Sequence, residues 1–294
     1  MTPTPKHQSA TSPTVLSQVS ASLRVNLLEP ARRTLKRLRK MTTSNRATLP
    51  VSILCFGNSL TAGYPAGQPY AVRLKEKLEE AFRGHLFSEV DYEVDGLPGD
   101  LVTRGKYLNR MRSDWKKESY DWTVVLGGTN DLGWGSKVED IIAGLEKAWD
   151  IPLSRGGKVL ALTIPDTKFQ GASLTERRGT INKFIREYKK PNFFSFDLHA
   201  AIPYHDMVPS DRPKYWEMDG VHLSAGGYDL MGEKIAEELI RIMRLADAQE
   251  HDINSVAPDP RQRKAIVDMI FEEERGNPRL LSQGYIVVRK RDLD

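Results

Sequence analysis

From residue 51 onward, short apolar segments alternate with longer segments of helical periodicity, and this alternation restricts the chain to few folds. Five segments of four to six residues are rich in β-branched or aromatic side chains and bounded by Gly, Pro or Asp, which is typical of buried strands. They are residues 51–56, 90–94, 123–126, 158–163 and 193–196. Strands that alternate with helices favour a parallel sheet covered on both faces. We therefore predict an α/β sandwich around a mostly parallel, five-stranded sheet.

Helical periodicity occupies the segments between and after these strands. Apolar side chains recur every three or four residues over 70–82, 141–149, 180–188 and 228–242, and the last of these has the most regular apolar face. Two further elements are predicted in the tail, a charged helix over 259–274 and a short strand over 284–288.

Charge separates the first 50 residues from the rest of the chain. Residues 1–50 contain nine Lys or Arg and one acidic residue, whereas the remainder contains 34 basic and 38 acidic residues. A Ser-, Thr- and Pro-rich basic segment buries too little apolar surface to offset its ordering entropy. We predict a disordered basic extension (1–49), one folded domain (50–245) and a charged C-terminal extension (246–294). The mildly acidic body gives no reason to expect nucleic-acid binding, and nothing in the sequence indicates an oligomeric state.

The cellular location is predicted from the same terminal segment. Residues 1–40 contain no apolar stretch of the length that a secretory signal needs, and no segment of the chain is long and apolar enough to span a bilayer. A cytoplasmic protein is expected, and the single cysteine, Cys55, fits a reducing compartment. Three interpretations of the basic extension stay open: a mitochondrial transit peptide, a segment that binds an anionic surface or an import receptor, and dispensable residues ahead of a true start at Met41.

Two motifs indicate nucleophilic catalysis. Ser59 lies in the sequence GNSL directly after the first predicted strand, at the sheet edge where open α/β folds bind ligands. A serine hydroxyl needs a base to take its proton, and that base needs a carboxylate to orient it. The sequence DGVH places Asp219 three residues before His222, close enough to hold its ring, and Ser224 is expected to cap the helix that follows. Ser59 is therefore the candidate nucleophile, His222 the base and Asp219 the orienting acid.

Two more turns follow predicted strands at the same sheet edge. Asn130 lies in GGTND, and its side-chain amide is a suitable donor to an oxyanion. Gly99 lies in GLPGD, where a glycine lets a backbone N–H approach a bound ester closely. His199 and His205 have side chains of a type that binds metals, but no carboxylate or cysteine pattern accompanies them. Neither a metal nor another cofactor is predicted.

These four blocks, in this order, resemble the SGNH (GDSL-like) hydrolase family over about residues 50–245. The resemblance implies a flavodoxin-like three-layer α/β/α sandwich. It matches the serine, glycine, asparagine and histidine of the family name to Ser59, Gly99, Asn130 and His222, and the acid of the last block to Asp219. The chain departs from the family pattern at two other positions, with Asn in place of the usual Asp at 58 and Val at 94, where an Asn often precedes the glycines.

The resemblance also implies a serine hydrolase that cleaves carboxylic esters through an acyl-enzyme. Its substrate is expected to be a small-molecule or lipid ester, such as a short-chain acyl ester, an acetyl ester or a lysolipid. Leu60, Trp134 and Trp216 are close to the four blocks in sequence and are expected to line the substrate pocket. Two alternatives stay open, an acyltransferase that uses the same acyl-enzyme and a non-catalytic SGNH-like binding module.

Overall fold

A computed structural model describes residues 50–256, except residues 84, 85 and 88, with side chains up to residue 247. The predicted basic extension and the tail elements at 259–274 and 284–288 lie outside the described residues. All five predicted strands are present, with ends that differ from the prediction by at most two residues. They are β1 (Val51–Gly57), β2 (Val90–Gly96), β3 (Trp122–Val125), β4 (Lys158–Leu162) and β5 (Phe193–Phe196).

The strands form one sheet in the order β2-β1-β3-β4-β5. The pairs β1–β3, β3–β4 and β4–β5 are parallel, with Cys55 opposite Val124 and Val124 opposite Leu160. This order is that of flavodoxin-like folds, so the predicted fold class is confirmed. In such sheets, ligands bind beyond the carboxyl ends of the strands where the strand order reverses, which here is between β1 and β3.

The helices include a long one and four short ones that the sequence prediction does not contain. They are α1 (Ser59–Ala62), α2 (Tyr70–Phe82), α3 (Gly105–Lys117), α4 (Thr129–Gly133), α5 (Val138–Leu153), α6 (Ala172–Glu187), α7 (Leu198–Ala201), α8 (Arg212–Tyr215) and α9 (Ala225–Val256). Helix α3 was not predicted, although Tyr107, Met111 and Trp115 recur every four residues and are all buried. Helix α9 ends at Val256, beyond the predicted domain end at residue 245.

The two faces of the sheet are covered by different helices. Leu54 and Phe56 of β1 belong to a buried apolar cluster that includes side chains of α3, α5 and α6. Because side chains alternate along a strand, Cys55 faces the opposite side, where it contacts Tyr70 of α2. There α9 packs on α2 at backbone distance, since a Cβ on Gly232 would lie 2.4 Å from the Tyr70 carbonyl oxygen. Burial raises the pKa of the Cys55 thiol to about 12, so Cys55 stays protonated and is not a candidate nucleophile.

Contacts group the described residues into two compact units. The larger one comprises residues 52–81 and 92–256 and contains every residue discussed below. In the smaller one, residues 50–51 and 82–91, the Val51 N–H donates to the Glu89 carbonyl over 3.0 Å. The ring centroids of Phe82 and Phe87 lie 5.1 Å apart in that unit. Within the described part of the chain, no helix has the length and apolar character needed to cross a membrane.

Candidate active site

The Ser59 turn is formed by the end of β1 and the short helix α1. Asn58 caps that helix, and its side-chain oxygen accepts from the Leu60 N–H at 3.1 Å, so a neutral amide does the capping here. A Cβ on Gly57 would lie 2.4 Å from the Leu126 carbonyl oxygen, so only glycine lets the turn pack against the end of β3. Ser59 is the first residue of α1 and is 6% exposed.

Ser59, His222 and Asp219 form a continuous chain of hydrogen bonds. The Nε2 atom of His222 lies 2.9 Å from Ser59 Oγ, and its Nδ1 atom lies 2.7 Å from Asp219 Oδ2. The other Asp219 oxygen accepts from the backbone N–H groups of Val221 (2.8 Å) and His222 (2.9 Å). The loop is anchored at the start of α9, where Ser224 Oγ accepts from the Gly227 N–H at 3.2 Å, as expected for a cap. The structure thus brings together three residues that lie as far as 163 positions apart in sequence.

The Asp219 carboxylate is stabilised in its charged form. Partial burial opposes ionisation, but hydrogen bonds from the His222 ring and from two backbone N–H groups outweigh it and lower the pKa of Asp219. A charged carboxylate at Nδ1 favours the tautomer whose Nε2 lone pair faces the serine. The Tyr64 ring packs edge-on against the imidazole, with centroids 5.0 Å apart. This arrangement can accept a proton from the serine hydroxyl.

The loops that carry Gly99 and Asn130 are tied to the Ser59 turn. The Leu97 N–H donates to the Gly57 carbonyl at 3.1 Å, and Asn130 Nδ2 donates to the Asp100 carbonyl at 2.9 Å. Gly99 has a φ of 76°, in the left-handed region that favours glycine. Among the described residues, no acceptor is bonded to the backbone N–H of Ser59 or of Gly99.

Arg110 was not singled out in the sequence, yet it joins these loops. Its Nη2 donates to the Gly57 carbonyl at 2.7 Å, its Nε donates to the Asp100 carboxylate at 3.1 Å, and it forms an ion pair with Asp95. The guanidinium lies 4.6 Å from the centroid of the Phe56 ring. One side chain of α3 therefore holds the end of β1 and the Gly99 loop together.

Asp131, the residue after Asn130, holds the same loop from the other side. It is fully buried, and its carboxylate accepts from the backbone N–H groups of Val102 and Thr103, both at 3.0 Å, and from the Thr103 hydroxyl at 2.7 Å. Because a buried carboxylate with three donors is strongly held, the Asn130 turn and the Gly99 loop form one unit.

A cavity of about 670 Å³, here called the side cavity, opens beside Asn130. Trp134, which the sequence predicts to line a substrate pocket, lies in its wall and is 79% exposed. Leu60 and Trp216 do not line the side cavity, contrary to the expectation that all three form one pocket. They are 2% and 4% exposed, and they border a separate void of about 10 Å³. Both side chains turn into the core although their neighbours in sequence belong to the site.

Comparison with known proteins identifies the family of this arrangement. A model of the GDSL-like lipase/acylhydrolase family matches residues 55–230, a span that contains Ser59, Gly99, Asn130, Asp219 and His222. The chain belongs to this family. Its members are carboxylic ester hydrolases, in agreement with the resemblance noted in the sequence.

Individual relatives share only a small part of their sequence with this chain. A multidomain esterase from Ruminococcus flavefaciens is 26% identical over 211 residues, which are 68% of this chain and 26% of that protein. The chain therefore spans about a quarter of the length of this relative. A lipase/acylhydrolase from Enterococcus faecalis has a TM-score of 0.53 and 22% identity, over 65% of this chain and 95% of that one. A psychrotrophic esterase from Pseudoalteromonas sp. has a TM-score of 0.52 and 15% identity, over 66% and 98%. At these identities, the two structures show a shared fold.

Proposed function

We propose that this protein hydrolyses carboxylic esters, with Ser59 as nucleophile, His222 as general base and Asp219 as the carboxylate that orients the base. The observation that carries the proposal is the hydrogen-bond chain from Asp219 through both ring nitrogens of His222 to Ser59 Oγ, with distances of 2.7 and 2.9 Å. Membership of the GDSL-like family supports the reaction class.

The proposed reaction has two steps. In the first, His222 Nε2 takes the hydroxyl proton as Ser59 Oγ attacks the carbonyl carbon of the ester. The carbonyl electron pair moves to oxygen, and the resulting oxyanion accepts from the backbone N–H groups of Ser59 and Gly99 and from the side-chain amide of Asn130. The tetrahedral intermediate then expels the alcohol, which takes its proton from His222 and leaves an acyl group on Ser59.

Water completes the cycle in the second step. The oxygen of a water molecule attacks the acyl carbon while His222 takes a proton from that water. A second oxyanion then forms and accepts from the same donors. Collapse of this intermediate releases the carboxylic acid and returns the proton from His222 to Ser59. The proposed substrates are small-molecule or lipid esters, and the side cavity next to Asn130 has the volume of a small-molecule site.

Steady-state hydrolysis of 4-nitrophenyl acetate and butyrate tests the proposal. We expect kcat of the wild type to fall by about 10⁴-fold or more in Ser59→Ala and by about 10³- to 10⁴-fold in Asp219→Asn. Ser113→Ala, which removes an exposed hydroxyl on α3, is the matched control and should retain full activity. Full activity of Ser59→Ala would contradict the proposal. Transfer of the acyl group to an added alcohol in preference to water would instead indicate an acyltransferase.

A further inference from the structure

The side cavity has a feature that the proposed reaction does not use. Asn130 and Val221, the residue before His222, both lie in its wall, so the cavity adjoins the proposed site of ester cleavage. Its wall also contains two arginines, Arg177 and Arg178, while none of its described lining residues is acidic. The cavity next to the reacting groups therefore has a positively charged wall.

The two arginines differ in how their charges are balanced. Arg178 is buried, and its guanidinium lies 2.7 Å from the equally buried Asp166 carboxylate, so this charge is neutralised within the protein. Arg177 is only half-buried, and its Nη2 donates to the Ser136 carbonyl. No carboxylate of the described residues forms an ion pair with Arg177. Its charge and its remaining N–H donors are available to a ligand in the cavity.

The same wall presents aromatic surface to solvent. Trp134 is 79% exposed and Phe169 is 54% exposed, and both line the side cavity. Large aromatic side chains exposed on a cavity wall are typical of binding sites, because they cover the carbon skeleton of a ligand. Lys168, next to Phe169, adds a second cation near the cavity, where its Nζ donates to the Met218 carbonyl at 3.0 Å.

We propose that the preferred substrates are esters that carry a carboxylate in addition to the ester group, and that Arg177 binds this carboxylate. The inference rests on the proposed function, because it assigns a substrate class to the same site. A planar guanidinium binds a carboxylate through two parallel hydrogen bonds, whereas a neutral substrate leaves this cation without an anionic partner. Trp134 and Phe169 hold the carbon skeleton between the ester and the charge.

Two matched pairs of esters test this inference, one for each side of the ester bond. Mono-4-nitrophenyl adipate and its methyl ester place a charge or a neutral group on the acyl side, and 4-acetoxybenzoate and its methyl ester do so on the alcohol side. The kcat/KM value of each ester is measured with wild type, Arg177→Gln and Arg177→Lys. Arg241→Gln is the control, since it removes an exposed cation on α9. The ratio of charged to neutral ester is compared between variants, so the intrinsic reactivity of each ester cancels.

We expect this ratio, for at least one pair, to be about tenfold lower in Arg177→Gln than in wild type. Arg177→Lys should restore part of it, and Arg241→Gln should leave both this ratio and the hydrolysis of the neutral esters unchanged. A ratio that is the same in wild type and Arg177→Gln for both pairs would overturn the inference while hydrolysis itself stands.

Failure of the proposed function would give a different result. In that case none of the four esters would be hydrolysed in a way that depends on Ser59. Calorimetric binding of mono-4-nitrophenyl adipate and of 4-acetoxybenzoate to Ser59→Ala, with and without Arg177→Gln, then tests the carboxylate site without turnover. Equal affinity of these two proteins for each ester would overturn the inference on its own, and weaker binding of either ester after loss of Arg177 would support it.

Discussion

Replacing Arg110 by methionine tests whether one buried guanidinium holds the loops of the proposed oxyanion hole together. The Arg110 side chain is 14% exposed and bonds the Gly57 carbonyl on one side and the Asp100 carboxylate on the other. Methionine keeps much of the apolar volume beside Phe56 but provides no donor. The Gly57 carbonyl and the carboxylates of Asp95 and Asp100 then lose their common partner.

The expected loss of stability follows from the burial of these partners. Removing one member of a buried ion pair costs about 3–5 kcal/mol, because the other charge is left uncompensated. The Asp100 side chain is 4% exposed and meets this condition, whereas Asp95 is 25% exposed and adds less. We expect the free energy of unfolding to fall by about 3 kcal/mol. For a domain of about 200 residues this lowers Tm by roughly 6–12 °C.

The expected effect on catalysis is separate from the loss of stability. If the Gly99 loop shifts, an oxyanion donor is misplaced, which lowers kcat by about 10²- to 10³-fold. The KM value should change little, because the donors act on charge that develops only in the transition state. Thermal melts followed by circular dichroism, and kinetics at a temperature where all proteins are folded, measure the two effects.

Arg110→Lys separates these effects further. It keeps the charge but not the planar fork, so it should recover stability more fully than kcat. Full kcat in a destabilised Arg110→Met protein would refute a positioning role for Arg110. An unchanged Tm would refute the stabilising role of its hydrogen bonds.

Three further predictions concern neighbouring residues. Asn130→Ala should lower kcat by about 10²- to 10³-fold with a stability loss of only about 1 kcal/mol, and a kcat within threefold of wild type would exclude its side chain from the oxyanion hole. Gly99→Ala should lower the free energy of unfolding by about 1–2 kcal/mol, because its φ of 76° is strained for alanine although no atom lies within 4 Å of the added Cβ; an unchanged denaturant midpoint would show that the loop adapts. Burial and the neighbouring Asp95 raise the pKa of Asp114 to about 6, so the folded protein binds more protons than the unfolded chain between about pH 4 and 6, and stability falls as the pH rises through that window. Asp114→Asn removes this dependence. Its free energy of unfolding, relative to that of wild type, should therefore rise by about 1–2 kcal/mol when the pH is raised from 4 to 8, and equal melting curves of the two proteins at pH 8 would contradict the sign.

The positions of the strands and of the candidate catalytic residues could be predicted because both leave local signals. Each strand is a short segment rich in β-branched or aromatic residues next to a turn, and this pattern can be recognised without knowing which distant residues the strand contacts. Asp219 and His222 lie in one turn, so their contact follows from spacing alone. The parallel sheet then accounts for the contact with Ser59, since the ends of parallel strands meet at one edge.

The remaining features depend on contacts that spacing does not encode. Leu60 follows Ser59 directly, but successive helical residues point about 100° apart, and its side chain turns into the core. Trp216 lies near Asp219 in sequence, but it forms an isolated β-bridge with Leu223 and its side chain is buried. Arg110 meets the Gly57 carbonyl from 53 positions away, on a helix that was itself not predicted.

The most direct test of the central claim is covalent labelling of Ser59 by a fluorophosphonate, followed by intact-protein and peptide mass spectrometry. The proposed mechanism predicts one adduct, located on Ser59, whose formation abolishes ester hydrolysis and which is absent from Ser59→Ala and strongly slowed in Asp219→Asn. An adduct on another residue, or hydrolysis that continues in the fully labelled protein, would contradict the assignment of Ser59 as the nucleophile.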